Sequence, residues 1–328
     1  MTRRTKQTLE TVLYPVQPDL EAVAERLMSE LTDPVVRRVV YLVTAGGKRL
    51  RPALVLLAGL SGPTPDRRAL IDAAASVEMI HTATLIHDDI VDDSMTRRRQ
   101  PTFHRRWGTE RAVLTGDYLY ATAFTLLARL QQPAPLRLMA DVCRQLSRGE
   151  LLEVEARFRL DLTEREYLEI IQAKTASLIA GCCRIGASLS GVPGASLKRL
   201  EAFGLNVGMA FQIIDDCLDL TGDARRLGKS IYADLDKGAL SLPIIYLTQT
   251  LSVRARNRLF APLRARAQDP TFLARVASAA LASGSIAKAL QRARGFVLEA
   301  QACTSRVSLN GFAPTYQELA QYVITRTE

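Results

Sequence analysis

Two short acidic runs carry the densest chemistry in the chain: Asp88-Asp89-Ile90-Val91-Asp92 and Asp215-Asp216-Cys217-Leu218-Asp219. Each reads D-D-x-x-D, and each follows an apolar segment, Thr82–Ile86 before the first and Phe211–Ile214 before the second. On a helix, residues four apart share a face, so Asp88 projects with Asp92 and Asp215 with Asp219. Like charges at that spacing repel. A solvated acidic face would tolerate this, but carboxylates duplicated at the ends of two apolar helices suit hard cations better. Mg²⁺, with Mn²⁺ as a substitute, takes oxygen ligands and keeps several waters; it is usually held by one or two carboxylates plus substrate phosphates.

The basic residues fit an anionic partner for such cations. Gly46-Gly47-Lys48-Arg49-Leu50-Arg51-Pro52 makes a compact cationic turn, and Arg97-Arg98-Arg99 comes just after the first acidic run. Groups of this kind donate well to a diphosphate. Lys174 interrupts the apolar stripe of Tyr167, Ile170, Ile171 and Leu178, where a lysine either snorkels or reaches a ligand. His81 lies seven residues before Asp88 on the same helical face. Taken alone, His81 reads as a satisfied core residue and Lys229, in a polar stretch, carries no signal.

The elements that must position these groups are helices, since apolar periodicity is helical and strand alternation is nearly absent. A stripe of Val36, Val39, Val40 and Val43 stops at Gly46-Gly47, and a second segment runs from Pro52 to Leu60. Asp66 is placed to cap a long helix reaching about Asp93, with Leu70, Ala73, Val77, Ile80 and Thr84 on one face. Further helices are expected over Glu110–Leu130, from a Thr163/Glu166 capping box through Ser190, and over Ser196–Leu220. In the last of these, Gly204 and Gly208 allow a close neighbour. Gly222–Gly238 reads as a polar loop, and no linker or repeat is visible. The expectation is one all-α domain spanning residues 1–328.

Composition narrows the classes. The 328 residues are 48% apolar and 23% charged, which excludes a disordered chain. Five cysteines without CxxC spacing and three histidines argue against zinc sites and disulfide frameworks, and fit a reducing cytoplasm. The net charge of +9 raises nucleic acid as a partner, but 6% aromatics and one Trp, with basic and acidic residues interspersed, argue against it. The uncharged stretch Gly238–Val253 carries Pro243 and is too short for a membrane span, and the basic N-terminus lacks the apolar core of a secretory signal.

Taken in order, GGKRLRP (Gly46–Pro52), HTATLIHDDIVDDSMTRRR (His81–Arg99), GDYL (Gly116–Leu119), KTASL (Lys174–Leu178) and FQIIDDCLD (Phe211–Asp219) resemble the trans-isoprenyl diphosphate synthase (polyprenyl synthetase) family. The resemblance continues through Leu227-Gly228-Lys229 and Asp234 to Leu242-Pro243. It implies an all-helical bundle around a central cavity, usually a homodimer, with long products able to bring the enzyme to a membrane surface. It also implies that Asp88, Asp92 and Asp215 bind Mg²⁺ on an allylic diphosphate, and that these three together with Asp89, Asp216, Asp219 and Lys174 are the catalytic residues. Arg97, Lys174 and Lys229 would add donors to that diphosphate. Lys48, Arg51, His81 and Arg98 would hold isopentenyl diphosphate, and Thr175 and Gln212 would lie beside the nascent cation.

The chain departs from the family pattern after the second motif, where G-K-x-x-G-x-D-x-x-x-G-K is usual. Tyr232 takes the place of the second glycine and Ala239 that of the last lysine, with Lys237 nearby as a possible substitute charge. Before the first motif stand Ala83 and Thr84, where short-chain members carry large aromatics, with Met79, Ile80 and Ser76 further back. That pattern is most like the medium- and long-chain synthases, with a geranylgeranyl or farnesyl synthase or one subunit of a two-component enzyme as alternatives. A terpene cyclase would lack the Lys48/Arg51 turn, and a non-catalytic subunit would have lost acidic residues that are intact here.

Overall fold

Apolar residues three and four apart build nearly every element of the computed structural model, which describes residues 8–44, 48–97, 100–221, 232–265 and 269–325. Gly46, Gly47, Arg98, Arg99 and Lys229 lie outside the described residues. The helices that matter for function are α1 (Gln17–Glu30), α2 (Leu50–Leu60), α3 (Arg67–Val91), α4 (Thr109–Arg129), α5 (Pro133–Ala156), α6 (Glu164–Ile171), α7 (Ser177–Leu189), α8 (Gly194–Thr221), α9 (Leu242–Thr250), α10 (Pro270–Ala282), α11 (Ser285–Thr304) and α12 (Ala313–Thr325). Among the described residues the strand content is one two-residue ladder, Thr96–Arg97 against Gln100–Pro101. The fold is all-α, as expected.

Contacts divide the chain into two compact units. The first comprises Met1–Cys143, Leu178–Gly204 and Ala300–Tyr322, and is built on α3. Asp66 caps that helix by accepting from the backbone N–H groups of Arg68 and Ala69 at 3.0 and 3.2 Å. The anticipated face is buried at Leu70, Ala73, Val77 and Ile80, and α3 packs against α1, α2 and α4. α3 is also long and apolar enough to cross a membrane, but 72% of its apolar window is buried, as in the core helix of a globular protein. Gly204 supplies the expected close approach: a Cβ there would lie 2.7 Å from the Ile179 carbonyl oxygen.

The second unit comprises Arg144–Ser177, Leu205–Glu299 and Val323–Glu328. α6 opens with the full capping box. Thr163 Oγ1 accepts from the Glu166 N–H at 3.2 Å, and Glu166 Oε2 accepts from the Thr163 N–H at 2.9 Å. The helix expected to run unbroken from Thr163 to Ser190 is instead interrupted by a π-helical turn at Gln172–Ala176. Such turns add one residue to the ring closed by each hydrogen bond and often sit at functional sites. The neighbour here is the backbone of α5 at Gly149, where a Cβ would lie 2.4 Å from the Lys174 nitrogen. Hydrophobic periodicity cannot register that widening. No disulfide forms among the described residues.

The capping box gives a prediction about pH. Hydrogen bonds from the Thr163 backbone and hydroxyl, together with Arg159, pull the Glu166 carboxyl down to about 2. A carboxyl depressed on folding stabilises the protein above its unfolded value and loses that effect as pH falls through the folded one. Thr163→Ala should cost about 1 kcal/mol in urea unfolding at neutral pH. The stability gap between wild type and Glu166→Gln should close between about pH 4.5 and pH 2. A gap independent of pH would refute the role of the carboxylate.

Candidate active site

In the first unit, α3 delivers the first acidic motif at its C-terminal end. The last turn carries Asp88 and Asp89, and Asp92 is the C-cap, its N–H donating to the Asp88 carbonyl at 2.8 Å. Carboxylates there meet the negative end of the helix dipole, so the position favours cations. The three acids do not play one part. Asp88 and Asp92 are half-buried. Asp89 is 2% exposed and accepts from Arg97 Nε at 2.9 and 3.0 Å and from Arg97 Nη2 at 2.8 Å. That fork fixes the hairpin carrying Arg97 against the helix end, helped by the Ser94 N–H donating to the Asp89 carbonyl at 2.9 Å.

The basic turn lies at the start of α2. Arg51 Nη1 is 3.1 Å from His81 Nε2 on α3, so the two residues expected to share a diphosphate are neighbours. Lys48 is exposed, with Nζ 5.8 Å from the ring centre of Tyr322 on α12. Behind Asp88 on α3, Ser76, Met79, Ile80 and Ala83 are buried, and Thr84 is half-buried with its hydroxyl donating to the His81 carbonyl at 2.8 Å.

In the second unit, α6, the π turn and α8 bring together Thr175, Gln212, Asp216 and Tyr167 in one hydrogen-bonded row. Thr175 Oγ1 donates to Gln212 Oε1 at 2.7 Å, and Gln212 Nε2 donates to Asp216 Oδ1 at 2.8 Å. The other Asp216 oxygen accepts from the Tyr167 hydroxyl at 2.6 Å. Burial pushes the Asp216 carboxyl well above the usual carboxylate range and the charge of Asp234 adds to this, while the hydrogen bonds from Tyr167 and Gln212 oppose it. Asp215 is half-buried. Asp219 is 1% exposed and faces the backbone N–H groups of Ala233 and Asp234 at 3.3 and 3.5 Å, anchoring the short helix Ala233–Asp236.

Lys174 is ion-paired with Glu150, at 3.1 Å, and with Glu153, both on α5. A cavity of about 100 Å³ is lined by Glu153, Lys174, Gln212, Asp216, Asp234 and Ala239, among others. Tyr167, Glu150, Glu153 and Asp234 were missed as site residues by sequence reasoning. Tyr167 belongs to an apolar stripe, and two glutamates three apart on an amphipathic helix look like solvated surface. Ala239 lines the cavity where the family pattern has lysine; Lys237 is not among the lining residues.

Among the described residues no group of three carboxylate, imidazole or thiol side chains could hold an ion alone. That donor set, pairs of hard oxygens at helix ends, fits a divalent cation completed by water and ligand phosphate. Tyr232, at the position of the family's glycine, has φ of +66° while its N–H donates to the Asp219 carbonyl at 3.0 Å. A tyrosine in the left-handed region is strained where glycine is not. Tyr232→Gly should therefore raise stability by about 0.5–1 kcal/mol in denaturant unfolding; a loss would show that contacts of the ring outweigh the strain.

The comparisons with known proteins agree with this geometry. The family model described as polyprenyl synthetase matches residues 33–280, a span that takes in both acidic motifs and the basic groups beside them. The chain is 40% identical over 240 residues to heptaprenyl diphosphate synthase component 2 of Geobacillus stearothermophilus, covering 72% of this chain and 75% of that one. It is 37% identical over 248 residues to the short chain isoprenyl diphosphate synthase of Methanothermobacter thermautotrophicus, covering 74% of this chain and 76% of the relative. In structure it matches the polyprenyl synthase of Caulobacter crescentus CB15 complexed with calcium and isoprenyl diphosphate, with a TM-score of 0.94, 31% identity and coverage of 99% and 100%. Members of the family use a divalent metal. On this evidence the chain belongs to the polyprenyl synthetase family and is a trans-prenyltransferase.

Proposed function

We propose that the protein is a Mg²⁺-dependent polyprenyl diphosphate synthase that adds isopentenyl diphosphate head to tail to an allylic diphosphate, giving products of medium to long chain. The observation that carries this reading is the pair Asp88 and Asp92, set one turn apart at the negative end of a buried apolar helix. Mg²⁺ held by Asp88, Asp92 and Asp215 would neutralise the charge developing on the departing diphosphate. Arg97, Lys174 and Lys229 hold the allylic diphosphate, while Lys48, Arg51, His81 and Arg98 hold that of isopentenyl diphosphate. The allylic C–O bond breaks with its electron pair going to the diphosphate. The isopentenyl double bond then attacks the allylic carbon, and a proton leaves to the released diphosphate.

Thr175 and Gln212 present oriented dipoles beside the cation, where water that would trap it must be excluded. Asp89, Asp216 and Asp219 act through what they hold. The family match runs unbroken through both compact units, and unit boundaries fall inside α5, α7, α8, α11 and α12 rather than in linkers, which supports one catalytic domain. A homodimer in the cytoplasm is the simplest assembly, with a second, heteromeric subunit as the other reading because one relative is named as component 2.

Three outcomes test the proposal. Activity should require Mg²⁺ or Mn²⁺, and Asp88→Ala or Asp215→Ala should each lower kcat on the order of 10²–10³-fold; full turnover in EDTA would refute it. Arg51→Ala should raise KM for isopentenyl diphosphate with little change for the allylic substrate, as expected for loss of a ground-state contact. The product should have roughly thirty to fifty carbons, measured along α3 at ~5.4 Å per turn. Ala83→Phe should shorten it to about fifteen or twenty carbons without affecting the first condensations, because Ala83 is buried one turn before the acids. Product sizing by chromatography decides it, and an unchanged length in the variant would show that the chain runs elsewhere.

A further inference from the structure

One stretch of the second unit lines two cavities. Ala156 and Leu162 line the cavity that holds Lys174 and Asp216. Between them in sequence, Phe158, Arg159, Leu160 and Asp161 line a second cavity of about 370 Å³, together with Arg256 and Arg264. The two cavities have no lining residue in common. The stretch they share is fixed by close packing. The Phe158 N–H donates to the Gly238 carbonyl at 2.7 Å, and a Cβ on Gly238 would lie 2.5 Å from the Phe158 ring.

The second cavity is cationic. Its three guanidinium groups face one lining carboxylate, Asp161, which is mostly exposed and lies 3.4 Å from Arg159. Arg159 also pairs with Glu166 at 3.1 Å. Among the described residues neither Arg256 nor Arg264 has an acidic partner. Arg256 Nε is buried without a hydrogen-bond partner, a cost that an anion would relieve. The sequence around these arginines offers no internal anion either. From Val253 to Gln268 it holds five arginines and no aspartate or glutamate.

We infer that this cavity binds the phosphate group of a ligand, at a site separate from the one that holds Lys174. Arg256 and Arg264 are the principal donors, and Arg159 is the third. A guanidinium presents its N–H groups as a planar fork that matches phosphate oxygens. Three such forks offer more aligned donors than the two oxygens of a carboxylate accept, so phosphate is the better fit. The group can belong to a soluble phosphate ester or to the headgroup of an anionic lipid.

The test is calorimetric titration of the full chain with inorganic phosphate in EDTA at low salt. Wild type should bind one phosphate, and Arg256→Gln and Arg264→Gln should each weaken it on the order of tenfold, the loss of one charge-assisted contact. Arg254→Gln, on the same short helix (Val253–Leu259) but outside the cavity, should change the affinity less than about twofold, as for a solvated charge. Lys174→Met should also leave it unchanged. A second arm sediments the protein with phosphatidylglycerol vesicles, with phosphatidylcholine vesicles as the blank. Retention on phosphatidylglycerol that is lost in Arg256→Gln assigns the group to a lipid headgroup; phosphate binding without such retention assigns it to a soluble ester. An equal loss in Arg254→Gln would reduce the site to diffuse surface charge, and a loss in Lys174→Met would place the phosphate in the other cavity. Either result overturns the inference, as does the absence of saturable binding of both probes.

Discussion

Negative charge gathered at the ends of apolar helices is the constraint on which the rest of the site depends. Asp88, Asp89 and Asp92 crowd the C-terminal end of α3, where the helix dipole already disfavours anions. A buried carboxylate without a partner costs several kcal/mol. Each acidic motif answers by dividing its residues. Asp89 and Asp216 are withdrawn and given donors, from Arg97 in one case and from Tyr167 and Gln212 in the other. Asp88, Asp92 and Asp215 stay half-buried. The withdrawn acids then decide where other elements sit: the hairpin after α3, the register of α6 against α8, and, through Asp219, the return of the chain at Ala233.

Close packing is the second determinant, and it acts through positions that carry no chemistry. At Gly149 the backbone of α5 comes so near Lys174 that no side chain fits. That contact coincides with the π turn, which places Lys174 and Thr175 on consecutive positions facing different partners, Glu150 and Glu153 for one and Gln212 for the other. A regular helical turn through Gln172–Ala176 would rotate every residue after it.

Much of the architecture was legible because it rests on local rules. The Asp66 cap, the Thr163/Glu166 box, the buried face of α3 and the close approach at Gly204 all follow from spacing and residue type. The acidic and basic motifs were legible for the same reason, since chemistry of this kind needs runs of like residues. What escaped was set by distant neighbours. The π turn depends on a glycine more than twenty positions earlier in the chain. The partners of Lys174 lie on an ordinary amphipathic helix, and the hydroxyl of Tyr167 finds Asp216 across the unit while its ring obeys the apolar stripe. The substitution at Tyr232 was visible as a departure, but its cost appears only with the left-handed backbone that a glycine would have adopted without strain.

The fork between Asp89 and Arg97 has a consequence for timing. A free arginine side chain has about 2 kcal/mol of rotamer entropy to lose when it is immobilised. In Arg97 the Nε and one terminal nitrogen are already bound to a carboxylate that is 97% screened from solvent at its side chain. The guanidinium plane is therefore oriented when the chain folds, and an anion arriving at the end of α3 meets a group that has little freedom left to surrender. The aspartate between Asp88 and Asp92 works on association entropy: it moves the ordering of a donor from the moment of binding to the moment of folding.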